Sequence, residues 1–312
     1  MYHRVAEPRH DPWGLCVAPG RFARQLAELK ARRTVLPLGE LVAQLEAGRV
    51  SPRAAAATFD DGYADNALVA KPLLEEAGVP ATMFLTSGLL GSERGFWWDE
   101  LAGMVLDGGG AAELELEFGG TRLAARWPAD ESEGGPPHGW RAWEPARTAR
   151  QAAYRQLWDA LQTLDAGARA DAMAELREQL PERHDPDPLD LPMSHAMAAA
   201  LPSSLIEVGS HGRSHVPLTA LAPDRRDAEI AGGRADLAQL AGGIPPGGFA
   251  YPHGSWDAAT RASVERAGYR WAVTTRPALV DPRRFDRYAL PRLTVGDWQP
   301  GELTSAIAAL GV

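Results

Sequence analysis

Thr58-Phe59-Asp60-Asp61-Gly62-Tyr63 closes a short apolar run, Ala54 to Phe59, and hands it to an aspartate–glycine turn. A run of that length bounded by a turn reads as a buried strand. The residues after it, Ala64 to Ala77, carry helical spacing and stop at Gly78, so the stretch opens a strand–turn–helix unit. Side chains alternate along a strand and diverge at its end, so Asp60 and Asp61 cannot easily act as one bidentate clamp. They can divide the work instead: one holds a metal ion while the other accepts a proton from water that the ion has made more acidic. The competing reading is structural, since Asp-Gly is a strong turn signal and acids suit the first turn of the helix that follows. Taken alone, the dipeptide favours the structural reading.

Helical spacing recurs over Arg21 to Arg32, where Phe22, Leu26 and Leu29 share a face. Val79 to Thr86, Leu205 to Gly209, Gly248 to Tyr251 and Trp271 to Thr275 are short, apolar or β-branched, and mostly bounded by glycine or proline; they read as strands. Pro223 to Leu240, with Asp224 as its cap, and Trp256 to Ala267, with Asp257 near its start and Gly268 past its end, read as helices. Strand and helix in alternation predict a parallel sheet, open or closed.

From about Ser92 to His195 that rhythm breaks. Leu114, Leu116 and Phe118 alternate with glutamates before Gly119-Gly120, which is a hairpin signature. Ala146 to Leu180 has helical spacing, with Tyr154, Leu157, Trp158, Leu161 and Leu164 on one side. Gly108-Gly109-Gly110 and the Pro-, Gly- and acid-rich stretch 127–145 read as loops. The expectation is a single domain over 1–312 with an insertion at about 92–195, built of one hairpin and one or two helices.

The 312 residues are 45% hydrophobic and 23% charged, and a formal charge of −9 argues against an electrostatic grip on nucleic acid or anionic lipid. A neutral or cationic ligand is the easier partner. Cys16 is the single cysteine, which excludes an intrachain disulfide and a Cys-x-x-Cys knuckle, so any metal must be held by His, Asp or Glu. Met1-Tyr2-His3-Arg4 opens no basic-then-apolar leader, and no run is long enough to span a bilayer. As written, the expectation is a cytoplasmic protein, or an extracytoplasmic one if the true start lies upstream with a strand and a leader.

His211-Gly212-Arg213-Ser214-His215 follows the expected strand Leu205 to Gly209, so it too sits at a strand's C-terminal end. A spacing of four places both rings on one face of a helical turn and matches paired histidine ligation. Two histidines and one carboxylate form a facial set that leaves positions open for water and substrate. A chance spacing is the alternative, but the coincidence with the acid pair at another strand end favours ligation. His10, His138, His184 and His195 lie among prolines and charges and read as solvated surface groups.

With these residues in view, the chain resembles the polysaccharide deacetylases of the NodB-homology type, the family 4 carbohydrate esterases. The resemblance rests on Thr58-Phe59-Asp60-Asp61-Gly62, on Ser210-His211-x-x-Ser214-His215, and on Phe249-Ala250-Tyr251-Pro252-His253-Gly254. Tyr2-His3-Arg4-Val5 is similar to the Tyr-His segment after the first strand in one branch of these enzymes. The matches span about Tyr2 to Thr86 and Pro192 to Val295 and leave the insertion unmatched.

The resemblance implies an α/β fold, a distorted (β/α) barrel of about seven units, with an α+β insertion between the second and third motif-bearing strands. Its chemistry would lie at the C-terminal strand ends. Asp60 would be the general base, and Asp61, His211 and His215 the ligands of a divalent metal, zinc first, with cobalt, nickel or manganese as alternatives. The backbone N–H of His253 would stabilise the oxyanion formed when water attacks an acetamide carbonyl. Tyr251, Pro252 and Gly254 would shape the substrate side of that turn. The implied reaction is N-deacetylation of an N-acetylated carbohydrate.

Two departures stand against the fullest motif set. That set has an arginine two residues before the proline, steadying the base, where this chain has Ala250, and a late Leu-x-x-His general acid, where Ala289 to Val295 contains no histidine. The acid is therefore open between His3 and His253. Trp97 and Trp98 lie just past an expected strand end and could stack on a sugar ring, or form the insertion's own core. Two further readings keep the fold: an amidase on a small non-sugar amide or cyclic ureide, and a non-catalytic carbohydrate-binding protein. Oligomeric state is left open by the sequence.

Overall fold

The structure, a computed structural model, describes residues 1–107, 112–118, 121–128, 139–180 and 185–311. It divides into two compact units, one of Met1–Glu7, Leu15–Ser92 and Pro192–Val312, the other of Pro8–Gly14 and Glu93–Leu191.

In the first unit, α1 (Pro19–Arg32) leads to β1 (Thr34–Val35), α2 (Leu38–Glu46) and β2 (Ala54–Ala55). The apolar run read as one strand is two: β2 pairs only with β1, and β3 (Ala57–Phe59) joins the main sheet. A π-helical turn at Asn66–Ala70 then feeds α3 (Lys71–Ala77), and Gly78, at φ 63°, stops it as the sequence predicts. With β4 (Ala81–Leu85), β7 (Ile206–Ser210), β8 (Gly248–Ala250) and β9 (Trp271–Val273), β3 forms a five-stranded parallel sheet in the order β3-β4-β7-β8-β9. The crossovers carry α7 (His195–Ala199), α8 (Pro223–Leu240) and α9 (Ala258–Arg266), and α10 (Glu302–Ala309) ends the chain.

Backbone bonds curl this sheet into the distorted (β/α) barrel. Tyr2 bridges Phe59 in parallel fashion, Leu290 bridges Val273, and Val295 N–H donates to Met1 O at 2.9 Å. Two short segments, at Met1–Tyr2 and at 290–295, thus occupy the positions that would otherwise be sheet edges. Parallel strands covered on both faces are apolar on both, and all five residues of β4 are buried. Ala81, Met83 and Leu85 join the core shared with Phe22 and Leu26 of α1 and Leu74 of α3. Phe84 points the other way, into a second cluster with Trp271, Val273, Leu290 and the α2 residues Leu38, Leu41, Val42 and Leu45.

Room for those interior rings comes from two glycines. A Cβ on Gly209 would lie 2.4 Å from the Phe84 ring, and one on Gly248 2.0 Å from the Trp271 ring. The two rings meet edge to face at 5.8 Å.

The second unit contains α4 (Trp97–Leu106), the hairpin of β5 (Ala112–Phe118) and β6 (Thr121–Trp127), α5 (Ala149–Gln162) and α6 (Ala166–Gln179). The hairpin is antiparallel from Ala112↔Trp127 to Phe118↔Thr121, while its expected turn at Gly119-Gly120 lies outside the described residues. Gly108-Gly109-Gly110, His138, His184 and most of the 127–145 stretch also lie outside them. Helical spacing over Ala146 to Leu180 is interrupted once, where Asp165 accepts from Ala168 N–H at 2.9 Å and caps α6. Helix α4, not anticipated, carries Trp97 and Trp98. His10 is not a free surface group: its Nε2 lies 2.5 Å from Asp107 Oδ1.

Candidate active site

Asp60 and Asp61 follow β3, His211 follows β7, the turn Pro252–Gly254 follows β8, and His3 follows the Met1–Tyr2 segment, so all sit past the C-terminal ends of parallel strands. Among the described residues, the three non-glycine residues with positive φ are Asp61 (75°), His215 (51°) and His253 (55°). Strain confined to one locality is a mark of a site whose geometry the surrounding fold dictates.

Asp60 and Asp61 point to different partners. Asp61 Oδ1 is buried with no hydrogen-bond partner and lies 3.5 Å from His211 Nε2 and 3.2 Å from His215 Nε2. Ligand atoms of the three residues lie within 4.8 Å of one another, and all three side chains are buried. His211 Nδ1 lies 2.8 Å from Ala250 O, a bond in which the ring donates, so its Nε2 keeps the lone pair directed at Asp61. Burial works to raise the Asp61 carboxyl, but the two histidines beside it win and hold it well below the usual range. An orphaned carboxylate oxygen facing two imidazole nitrogens fits a divalent ion, and no other such cluster occurs among the described residues.

The spacing of His211 and His215 does not come from a helical turn, as read from the sequence. Residues 211–215 form a loop in which His215 is left-handed, and it is this turn that brings the two rings to 4.9 Å.

Asp60 meets a residue that motif reading missed. Arg292 Nη1 donates to Asp60 Oδ1 at 2.7 Å and Nη2 to Asp60 Oδ2 at 2.6 Å, a bidentate pair with both groups buried. Nη1 also donates to Thr58 Oγ1 (3.1 Å) and Nε to Thr274 O (3.0 Å), so each of the guanidinium's three nitrogens is engaged. Burial pushes Asp60 up, but Arg292 and His211 outweigh it, and the carboxyl stays below its ordinary value. Arginine is thus absent at position 250 and supplied from the segment that pairs with β9. A signal was present: one charge inside Leu290-Pro291-Arg292-Leu293 must be paired if that run is buried.

His3 is partly exposed, its Nδ1 is buried without a hydrogen-bond partner, and Asn66 Nδ2 donates to its carbonyl at 2.8 Å. Asp65 fixes the same segment, accepting from Arg4 Nε at 2.8 Å and Val5 N–H at 3.0 Å. Burial lowers the His3 pKa, with Asp61 and Asp60 pulling the other way. The His253 ring lies 4.4 Å from that of His215. Pro252 is buried and Gly254, at φ 65°, closes the turn, its N–H donating to Tyr251 O at 2.9 Å. Tyr251 itself packs in the core with Phe249 and Tyr269, and its hydroxyl donates to Tyr288 O at 3.0 Å. Trp97 and Trp98 belong to the second unit, where both rings are buried, 5.6 Å apart, and Trp98 stacks on Phe96.

A family profile described as polysaccharide deacetylase matches residues 47–112 and 182–272, just over half of the chain. Among solved structures of similar fold, BC0361, a polysaccharide deacetylase from Bacillus cereus, has a TM-score of 0.59 at 16% identity, covering 98% of this chain and 67% of its own. The Streptococcus pyogenes deacetylase PplD, in complex with acetate, gives 0.55 at 17%, covering 98% and 96%. IcaB from Ammonifex degensii gives 0.55 at 17%, covering 99% and 94%. No curated protein matches the chain at a significant level.

Proposed function

Because the chain belongs to the polysaccharide deacetylase family, we propose that it removes N-acetyl groups from N-acetylated sugar units of an oligo- or polysaccharide or its precursor, with a divalent metal held by Asp61, His211 and His215. The observation that carries this reading is the separation of two adjacent aspartates: Asp61 Oδ1 faces two imidazole nitrogens, while Asp60 is locked to Arg292. Such an ion polarises an amide carbonyl and eases deprotonation of water; zinc suits a His₂Asp set, as cobalt, nickel or manganese also would.

The chain's own residues supply the rest. Asp60, kept ionised and oriented by Arg292, still has lone pairs to accept the proton of the attacking water. The backbone N–H of His253, in the tight turn at Pro252–Gly254, donates to the oxyanion that follows. His3 gives the proton that the leaving amine needs. Burial disfavours the proton on both rings, but His3 lies beside two carboxylates, Asp61 and Asp60, whereas His253 has the His215 ring against it ahead of Asp61, so His3 is the better placed to hold a proton. The acetate held by the Streptococcus pyogenes structure is the product expected here.

Asp60→Asn is the sharpest test, because its amide oxygen can still accept from Arg292. The variant should hold zinc like the wild type by metal analysis and release acetate from chito-oligosaccharides about 10²–10⁴ times more slowly. Unchanged release would remove Asp60 as base. Wild-type protein that holds metal but releases no acetate would point to a non-sugar amide as substrate, and one that holds none to a carbohydrate-binding role. His3→Gln should lower kcat about 100-fold with KM and metal content unchanged in steady-state assays. An unaltered kcat would move the proton donor to His253.

A further inference from the structure

Resting on the metal reading above, we infer that Glu229 of α8 is a positioning residue that sets the shape of the loop His211–His215 and thereby its affinity for the ion. The loop is not helical, so its N–H groups lack the acceptors that a helix would give them. His211 N–H finds Leu85 O at 2.8 Å, and Glu229 supplies the acceptor for Arg213 and Ser214. Its Oε2 accepts from both Arg213 N–H and Ser214 N–H at 3.0 Å, and its Oε1 accepts from Ser214 Oγ at 2.6 Å. Consecutive backbone N–H groups converging on one anionic oxygen form a nest, and the residue immediately after it is the left-handed His215.

The rest of the α8 stripe serves the same loop. Positions four and seven after Glu229 share its face. At the first, Gly233 lets the helix come close: a Cβ there would lie 2.9 Å from Ser210 Oγ and 3.0 Å from Gly212 C. Two adjacent glycines inside an 18-residue helix weaken it, so the close approach is their physical reason. At the second, Asp236 takes the Arg213 guanidinium at 2.7 Å through both oxygens, and Ser87 Oγ at 2.8 Å. From the other side, Ser87 N–H and Gly88 N–H donate to Gly212 O (3.1 Å) and Arg213 O (2.9 Å). The loop is therefore clamped between the exit of β4 and one stripe of α8, with Glu229 nearest to His215 in sequence contact. Removing a group that orients a ligand from outside commonly weakens metal binding by about 10–100-fold.

Calorimetric titration of zinc into metal-free protein tests this. Glu229→Ala should bind about 10–100-fold more weakly. Glu229→Gln should recover most of the loss, since its carbonyl oxygen still accepts from the backbone and its amide can face Ser214 Oγ. Ser214→Ala removes only one of the three bonds and should weaken binding about 2–10-fold; it serves if Glu229→Ala does not fold. Asp227→Ala, on the same helix as Glu229, breaks the pair with Arg266 of α9; it should leave zinc affinity unchanged and so separates loop geometry from the packing of α8. Wild-type affinity in both Glu229→Ala and Ser214→Ala overturns the inference, as does an equal loss in Asp227→Ala. Wild-type protein that binds no zinc would overturn the functional reading along with it.

Discussion

His211→Ala is expected to abolish zinc binding, read as loss of zinc from the purified protein, and acetate release with it. In the proposed site the imidazole is one of three ligands, and its ring is held from behind by the bond between Nδ1 and Ala250 O. Asp61 and His215 alone cannot complete a facial set, and the neighbouring Asp60 cannot turn in to replace the lost ring because both its oxygens are bound to Arg292. A cost in stability accompanies this, about 1–3 kcal/mol, because Ala250 O is left buried without its donor. Denaturant unfolding in the presence of chelator isolates that part, since the metal then contributes nothing to either protein. Retention of one zinc per chain at wild-type affinity would remove His211 from the ligand set. The chelated wild type should itself lose acetate release and regain it when zinc is restored.

Arg292→Ala is expected to destabilise the fold by about 3–5 kcal/mol, because it leaves the Asp60 carboxylate buried with its cationic partner gone. Two further acceptors, Thr58 Oγ1 and Thr274 O, lose their donor, and the charge over the Phe84 ring at 5.5 Å disappears. Turnover should fall beyond what the loss of stability explains. Without Arg292 the remaining dominant influence on Asp60 is burial, which favours its protonated form, and a protonated carboxyl cannot act as a base. Arg292→Lys should fall between the two, since an ammonium restores the charge but cannot match both oxygens at once. Equilibrium unfolding and acetate release measured on the same preparations decide it. An Arg292→Ala protein as stable and as active as the wild type would mean that Asp60 needs no support from this pair.

Legibility in the sequence follows range. Val79 to Thr86 contains β4, and Pro223 to Leu240 coincides with α8, because apolar spacing, a closing glycine and a proline at a helix start are local signals. Local signals also erred locally. Asp224 lies in the first turn of α8 rather than at its cap, which is Ala222, and the four-residue spacing of His211 and His215 is a loop rather than a helical turn. Asp257 was correctly placed near the start of α9, where its side chain accepts from Thr260 N–H at 2.7 Å.

Sequence alone determined where the strands end and which residue types wait there: two acids after one, two histidines after another, a Pro-x-Gly turn after a third. Each of these depends on neighbours a few residues apart, which share a backbone and so constrain one another directly. Only the tertiary structure decided which partner each acid meets. Asp61 reaches the histidines because its left-handed backbone turns it away from Asp60, and Asp60 reaches Arg292, 232 positions later, because the 290–295 segment pairs with β9 and then with Met1 to close the sheet. No periodicity records such a contact. It exists because closing a barrel brings distant segments side by side, and a charge buried on one of them is stable only against the opposite charge that the closure delivers.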